Sequence, residues 1–366
     1  MSEERKVRLA MIGCGHMARN HVRAMLRQRD TTQIMVVCDP SAEAYAQMRA
    51  ICSAAGMPPP PNQPDLARLL DGYAGAIDVA FIVTPHAYHY GQARACLEAG
   101  LDVLIEKPMV VTASEALSLI ETRDRSGRLL VVAFDGSLSH PVRAASRMLS
   151  SGEVGRILSI VAFVWENWAE RYQGHWKQMP EISGGGFMFD TGAHMLNTVC
   201  DLAGEDFVEV AAWLDNRDRA VDILGCVMGR LQSGALVTMS SCGSAIPSCD
   251  SEIRVFCTKA IMRTGIWGER LELQRAGEAQ LQPVSVTPSP GAWEQFVAIR
   301  SGRMANPCPA EIGLRMARLW DAVKASAAQK GAPVRLGETV ASLARLCSGL
   351  FQRSCATSCS KTRPSA

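Results

Sequence analysis

A short apolar run, Arg8-Leu9-Ala10-Met11-Ile12, passes directly into Gly13-Cys14-Gly15-His16-Met17-Ala18, after which Arg19 to Arg29 has helical periodicity. Strand, glycine turn and helix in that order form the G-x-G-x-x-A fingerprint in the context it requires. Gly13 makes the tight turn, Gly15 lets backbone N–H groups approach a pyrophosphate, and small Ala18 lets the helix pack on the strand. The helix N-terminus then faces the phosphates, with His16 and Met17 beside them. A second apolar run, Ile34-Met35-Val36-Val37-Cys38, ends in Asp39, twenty-one residues after Ala18. An acidic side chain there accepts hydrogen bonds from both hydroxyls of an adenosine ribose and repels a 2′-phosphate, which favours NAD over NADP.

The rest of the first half repeats the rhythm. Pro58 to Pro61 form a stiff extended loop. Ile77 to Val83 is a third buried strand that breaks at Thr84-Pro85-His86-Ala87-Tyr88-His89. His89 fits either a helix-start residue satisfied by backbone or a contact to the cofactor, with Thr84 and Pro85 on the cofactor side.

The helix from Tyr90 to Ala99 stops at Gly100, and the apolar strand Val103-Leu104-Ile105 then ends in Glu106-Lys107-Pro108. Burying Glu or Lys deep in such a strand is costly, so both belong at its open carboxyl end, where α/β sheets keep their ligands. Pro108 cannot donate to a ladder and biases Lys107 away from helix, which fixes where the Lys side chain leaves the strand. Lys107 is therefore the candidate acid/base or polarising group; an ordinary surface ion pair is the plain alternative. Thr112 with Glu115 makes a capping box, and Leu129 to Phe134 counts as a sixth strand. Six strands separated by helices imply an α/β fold with a doubly wound parallel sheet.

From about Asp135 the pattern changes. A helix near Val142 to Leu149 and a long strand Ile157 to Trp165 precede a polar, aromatic loop that offers Arg171, Tyr172, His175 and Trp176 as candidate substrate contacts. In Gly184-Gly185-Gly186-Phe187-Met188-Phe189-Asp190-Thr191-Gly192-Ala193-His194, a helix starting after Gly186 puts Asp190 and His194 one turn apart on one face. An Asp so placed orients and polarises the imidazole for acid/base work. Spacing alone fits a surface pair equally well. Five strand-like runs between Val208 and Thr264, joined by short turns, imply a second, largely antiparallel sheet with one open face.

The 366 residues suit two domains, here 1–134 and 135–345, followed by a tail over 346–366 expected to be mobile. A net charge of +2, without basic clusters interleaved with aromatics, argues against nucleic acid. No apolar run reaches bilayer length and the charged start has no apolar stretch behind it, so a cytoplasmic location and no membrane partner are expected. The thirteen cysteines are odd in number and mostly inside apolar segments, without zinc spacing; they read as reduced thiols, and no metal is expected. Cys355 and Cys359 in the tail are the one pair that could join or hold a metal.

The glycine turn, Thr84-Pro85 with His89, Glu106-Lys107-Pro108, and Trp176-Lys177 leading into the Gly184 run and Asp190-x-x-x-His194 together resemble the glucose-fructose oxidoreductase, inositol dehydrogenase and rhizopine catabolism (Gfo/Idh/MocA) oxidoreductases, over roughly residues 6 to 337. The resemblance implies an N-terminal Rossmann domain and a C-terminal α/β domain whose sheet serves homodimers or homotetramers. It implies NAD(P)-dependent redox chemistry at a carbinol carbon of a sugar, cyclitol or polyol, with Lys107, Asp190 and His194 as the catalytic group and Glu106 near the nicotinamide ribose. Two departures bear on substrate: Asp135 to Pro141 lacks the arginine many members place there, and Asn197 stands where an acidic residue is common. Two other readings remain open. One is an enzyme that cleaves a glycoside by transient oxidation and elimination on a held NAD; the other is a noncatalytic NAD-sensing regulator.

Overall fold

The computed structural model describes residues 5–336, so the tail with Cys355 and Cys359 lies outside the described residues. In the first half β1 (Val7–Ile12), α1 (His16–Met25), β2 (Thr32–Cys38), α2 (Ala42–Ala54), α3 (Leu66–Gly72), β3 (Val79–Ile82), α4 (His86–Glu98), β4 (Asp102–Glu106), α5 (Ala113–Ser126) and β5 (Leu130–Ala133) follow one another. The strands pair in parallel in the order β2-β1-β3-β4-β5. They are buried because helices cover both faces, which is why they read as continuous apolar runs. The chain reverses its direction of travel across the sheet between β1 and β3, and the crevice at their carboxyl ends is where such sheets hold ligands.

The expected sixth strand is absent, and Leu130–Ala133 is the fifth. Beyond β2 the chain makes only a single parallel bridge, Val37 with Asn62, supported by Val37 N–H to Pro61 O and Gln63 N–H to Val37 O. The prolines at 58–61 and 64 carry no N–H, so this segment cannot extend a ladder.

The second half holds α6 (Asp135–Leu138), α7 (His140–Ser150), β6 (Ile157–Glu166), α8 (Trp168–Arg171), a 3₁₀ turn at Trp176–Gln178, α9 (Pro180–Ser183) and α10 (Gly192–Ala203). Next come β7 (Phe207–Asp215), β8 (Leu224–Leu231), β9 (Leu236–Cys242), β10 (Cys249–Cys257), β11 (Ala260–Thr264), β12 (Leu271–Arg275) and β13 (Gln282–Pro283). The described chain ends with α11 (Ala292–Arg300), α12 (Ala310–Ala328) and β14 (Val334–Arg335).

A nine-stranded sheet forms in the order β13-β12-β11-β10-β6-β9-β8-β7-β14. It is antiparallel except where β6 lies parallel to β9. That one parallel pair needs a long crossover, and the chain from α8 to β8 supplies it. Along β6, Ile160, Ala162 and Val164 are buried while Val161 and Phe163 face solvent, so one face of the sheet is packed and the other open. Among the described residues no helix is long and apolar enough to cross a membrane.

The last third of the described chain returns to the first sheet. Trp293 of α11 is buried, stacks near Phe81 and Phe296, and donates Nε1–H to Thr32 Oγ1 at 2.7 Å. Cys308 O accepts from Val132 N–H at 3.0 Å. Trp293→Ala removes a large buried ring and leaves a cavity between the two halves. We expect it to lower the unfolding free energy by about 3–5 kcal/mol, measured by urea denaturation, with no loss exceeding that of a surface Trp213→Ala control being the contrary result.

Candidate active site

The crevice is built from strand ends. At β1, Gly13 has φ +101°, and a Cβ there would stand 2.3 Å from Val83 O, so only glycine fits the turn. Gly15 caps α1 without a side-chain cap and faces open space, leaving the first-turn N–H groups free for an anion. His16 and Met17 are exposed on that turn. Asp39 stands beside it, accepting from Cys14 N–H at 2.6 Å and Ser41 N–H at 2.8 Å. These residues fit a dinucleotide: a close-packed glycine, an uncapped helix start and a carboxylate at the end of β2.

At β3, Thr84 donates Oγ1–H to Gln92 Oε1 at 2.6 Å and Pro85 caps α4. Of the two readings of His89, its surroundings match the one in which backbone satisfies it. Its ring is fully buried, with Nδ1 and Nε2 each 2.8 Å from a backbone oxygen, Pro108 O and Thr84 O. Burial holds its pKa below the usual value. As a neutral ring it has one N–H and donates to one of the two. His89 therefore sits between the ends of β3 and β4, with both ring nitrogens turned to backbone oxygens.

At β4, buried Glu106 accepts from His21 Nε2 at 2.6 Å and from Lys107 N–H at 3.1 Å. Burial alone raises a carboxyl, but His21 and Lys107 outweigh it and keep Glu106 below its ordinary value. Lys107, joined to Pro108 by a cis peptide, sends its ammonium to Asp190, 2.9 Å from the backbone O and 3.2 Å from Oδ1. Two of its three N–H donors are thereby engaged, and the third is free.

Asp190 is the hub. Its Oδ2 accepts from Lys177 Nζ at 2.6 Å and from the buried Trp168 Nε1–H at 2.8 Å, and His86 Nε2 lies 3.9 Å from Oδ1. Burial works against its charge, yet Lys177, Lys107 and His86 hold its carboxyl well below the usual range. Lys177 is likewise opposed by burial, but Asp190 keeps its pKa raised, and its Nζ lies 4.4 Å from the centre of the Tyr172 ring. The turn carrying Asp190 is anchored by Asp222, whose carboxylate accepts from Gly186 N–H at 2.7 Å and Met188 N–H at 2.8 Å. A Cβ on Gly186 would sit 1.9 Å from Asp222 O, so this glycine is required by close approach.

The expected helix over Asp190 and His194 is corrected. Phe187 to Thr191 is a run of turns, and α10 starts only at Gly192. Asp190 spends its oxygens on the two lysines and the indole, so it makes no hydrogen bond to His194. The imidazole is buried between Phe134 and Trp267, with ring centroids at 6.1 and 5.9 Å, and its Nδ1 has no partner. Burial first, and then Lys107, holds His194 well below its usual pKa, so the ring is neutral.

Of the loop residues, Trp176 packs edge-on against His86 at 4.9 Å and Tyr172 supports Lys177. Arg171 pairs with Glu166 at 3.0 Å, and exposed His175 accepts from Lys177 N–H. The structure thus brings Tyr172 and Trp176 to the Asp190 hub as support and leaves Arg171 and His175 at its rim. Asn197 is turned away from the crevice: its amide donates to Ser137 Oγ at 2.8 Å and to Asp201, and Arg315 donates to its Oδ1. It therefore braces α10 against α6 and α12 and does not read substrate.

Sequence reasoning passed over Lys177, His86 and His21 as site residues, and took Trp168 only as part of the aromatic loop. His86 carried a usable signal, since it lies at the carboxyl end of β3 by the same rule that singles out Lys107. Lys177, Trp168 and His21 carried none that spacing reveals.

A dinucleotide-type sheet whose ligand crevice meets a lysine, a carboxylate and a neutral histidine defines a two-domain nucleotide-dependent oxidoreductase class. Residues 7–134 match the family model for the oxidoreductase family, NAD-binding Rossmann fold, and residues 142–263 match the GFO/IDH/MocA C-terminal domain. The chain belongs to the Gfo/Idh/MocA oxidoreductase family. It is 31% identical over 144 residues to the 1-carboxy-3-chloro-3,4-dihydroxycyclohexa-1,5-diene dehydrogenase of Comamonas testosteroni, covering 39% of this chain and 36% of that protein. It is 28% identical over 162 residues to the inositol 2-dehydrogenase of Rhodococcus erythropolis, covering 44% of each. The matched stretches span half or less of these two relatives. An inositol dehydrogenase homolog of Azotobacter vinelandii, solved with NAD+, superposes with a TM-score of 0.77 at 19% identity over 91% of this chain and 98% of that one, a likeness of fold.

The pKa of His86 is depressed from 6.5 to about 3, chiefly by burial. The unfolded chain therefore takes up this proton first as the pH falls. Stability from His86 is complete above about 6.5 and lost toward 3, amounting to about 2 kcal/mol lost by pH 5. In His86→Asn, the slope of unfolding free energy against pH between 6.5 and 4 should fall by about one proton, measured by denaturation at stepped pH. An unchanged slope would refute the assignment.

Proposed function

We propose that the protein is an NAD-dependent oxidoreductase that interconverts a secondary alcohol and a ketone on a sugar, cyclitol or related polyol by hydride transfer. One observation carries the reading: the third N–H of Lys107 is left unsatisfied at the carboxyl end of β4, and the neutral imidazole of His194 lies close enough for the Lys107 charge to act on it. A substrate hydroxyl accepts from the first and donates to the second. The names of its relatives, an inositol 2-dehydrogenase among them, support the substrate class.

Gly13, Gly15 and the start of α1 would hold the pyrophosphate, with His16 and Met17 flanking it, and Asp39 would hold the adenosine ribose. Thr84, Pro85 and Glu106 border the nicotinamide end. Asp39 repels a 2′-phosphate, which selects NAD over NADP. NAD, when bound, supplies the acceptor for the hydride.

Lys107 donates to the substrate oxygen and stabilises the negative charge that grows on it as the C–H bond breaks. Neutral His194 accepts the hydroxyl proton, and in the reverse direction returns it to the ketone oxygen. Asp190 holds Lys107 in place without sharing His194's proton. Lys177 keeps Asp190 ionised, so that Lys107 stays anchored on a charged partner.

The open sheet face, with Val161, Phe163, Met228 and Leu236 exposed, supports assembly as a homodimer or homotetramer.

The test is NADH formation, followed by absorbance, with purified protein, NAD or NADP, and a panel of inositols, aldoses and simple glycosides. Turnover of a polyol with NAD supports the reading, whereas sugar release from a glycoside without net NADH replaces it with glycoside cleavage. Lys107→Ala should lower kcat at least about 100-fold while NADH affinity changes less than about threefold; unchanged turnover overturns the role of Lys107. Asp39→Ala should raise kcat/KM with NADP relative to NAD at least about tenfold, because one repulsive charge worth about 1.4 kcal/mol corresponds to that ratio; an unmoved ratio removes Asp39 as the selector.

A further inference from the structure

The mechanism leaves unused one carboxyl that borders the same crevice. Asp135 is the first residue of α6, directly beyond β5, and its side chain is exposed and accepts no hydrogen bond among the described residues. The charged groups facing it are Glu106 of β4, His21 of α1 and Lys107. Surrounding protein first, and Glu106 second, push its carboxyl up to about 6, while His21 and Lys107 pull it down.

Asp135 lines a cleft of about 250 Å³ together with Leu138, Ser139, Trp267, Pro290 and Gln295. The Trp267 ring is the one that flanks His194, so the cleft adjoins the catalytic imidazole. Gln295 is only 2% exposed; its Nε2 donates to Pro290 O at 2.8 Å, and its buried Oε1 has no partner. Ser139 Oγ is already committed to Gly136 O and Val142 N–H. The cleft is therefore lined by a carboxylate without a hydrogen-bond partner, by an indole, and by Gln295, whose buried Oε1 is orphaned.

We propose that this cleft is the far end of the substrate site and binds a protonated amino group, so that the substrate is an amino-substituted sugar or cyclitol whose reacting carbinol lies at Lys107 and His194. The proposal rests on the oxidoreductase reading above and names its substrate class. A hydroxyl has one donor, whereas an ammonium has three and carries the charge that a lone carboxylate and an indole face attract. Glu106 is already paired with His21, and the Lys107 ammonium with Asp190, which leaves Asp135 without a cationic partner of its own until a ligand supplies one. The amino group is not consumed: hydride leaves the carbinol carbon for NAD, the hydroxyl proton goes to His194, and the ammonium is unchanged.

The experiment compares NADH formation with glucosamine, 3-amino-3-deoxyglucose and an inosamine against glucose and inositol, in the wild type and in Asp135→Asn, with NADH affinity measured by fluorescence titration. At pH 7.5 at least one amino compound should exceed its hydroxyl parent tenfold in kcat/KM, and Asp135→Asn should collapse that ratio toward one. In the wild type the amino compound's kcat/KM should fall as pH drops through about 6, and this limb should vanish in Asp135→Asn. Calorimetry should show the amino compound binding NADH-loaded wild type at least tenfold more tightly than the variant.

Turnover of the hydroxyl parents with no amino preference overturns this proposal and leaves the oxidoreductase reading standing. A ratio unmoved in Asp135→Asn while NADH binding weakens assigns Asp135 to the cofactor and overturns it as well. Absence of turnover with every compound, amino and hydroxyl alike, removes the oxidoreductase reading and this proposal with it.

Discussion

The structure turns on a single buried carboxylate. Asp190 is 3% exposed, and an ion placed so deep is sustained only by partners that replace the water it gives up. Its partners come from across the fold: Lys107 from the end of β4, His86 from the start of α4, Trp168 from α8 and Lys177 from the 3₁₀ turn. The first sheet and the second half of the chain are thus joined through one side chain. Removing a partner of such a group leaves an uncompensated buried charge, at about 3–5 kcal/mol, so its partners are held in place by the same energy that holds the halves together.

The charge balance of that cluster explains how Lys107 and His194 divide their work. Asp190 carries one negative charge and Lys107 and Lys177 one positive charge each, leaving the cluster at plus one with His86 and His194 neutral. A net positive charge disfavours protonation of His194 and favours an anionic oxygen in front of Lys107. These are the two conditions that removing a proton and a hydride from a carbinol requires: an unprotonated acceptor and a stabilised alkoxide. With Asp190 serving Lys107, Lys177 and Trp168 instead of His194, the imidazole is flanked by the rings of Phe134 and Trp267.

Much of the architecture was legible in the sequence because it is written in local patterns. The glycine turn, the buried strands and the Glu106-Lys107-Pro108 strand end each depend on a few adjacent residues, and each appears where pattern places it. The expected sixth strand failed as a miscount: only five apolar runs stand between Arg8 and Phe134, and Leu129 to Phe134 is the last of them, while the prolines at 58–61 read as a loop in the sequence and make no ladder in the structure. The Asp190–His194 pair failed for a subtler reason. Four-residue spacing implies a shared face only inside a helix, and the clamp of Asp222 on Gly186 and Met188 holds that stretch in turns, a constraint thirty residues away in sequence. His89 was ambiguous from sequence because both of its partners, Thr84 O and Pro108 O, are backbone atoms and leave no trace in residue type. The roles of Lys177 and Trp168 were not legible because only the folded chain shows that their polar ends converge on the same carboxylate.

The two sides of the crevice differ in charge, and this asymmetry follows from which strand ends supply it. The β4 end and the second half give the Asp190 cluster, plus one, on the side of the transferred proton. The β5 end gives Asp135, without a hydrogen-bond partner, on the other side, with Glu106 between them already satisfied by His21 and Lys107. A substrate lying across the crevice is thereby offered a cation where its oxygen develops negative charge and an anion at its far end. Polarity of this kind fixes orientation as well as affinity: a molecule turned end for end would put a donor against Lys107 and an acceptor against Asp135, losing both interactions together. For a ligand with an ammonium at one end, selection among its hydroxyls therefore need not come from the shape of the pocket, because the opposed charges at the two ends of the crevice already distinguish one presentation from its reverse.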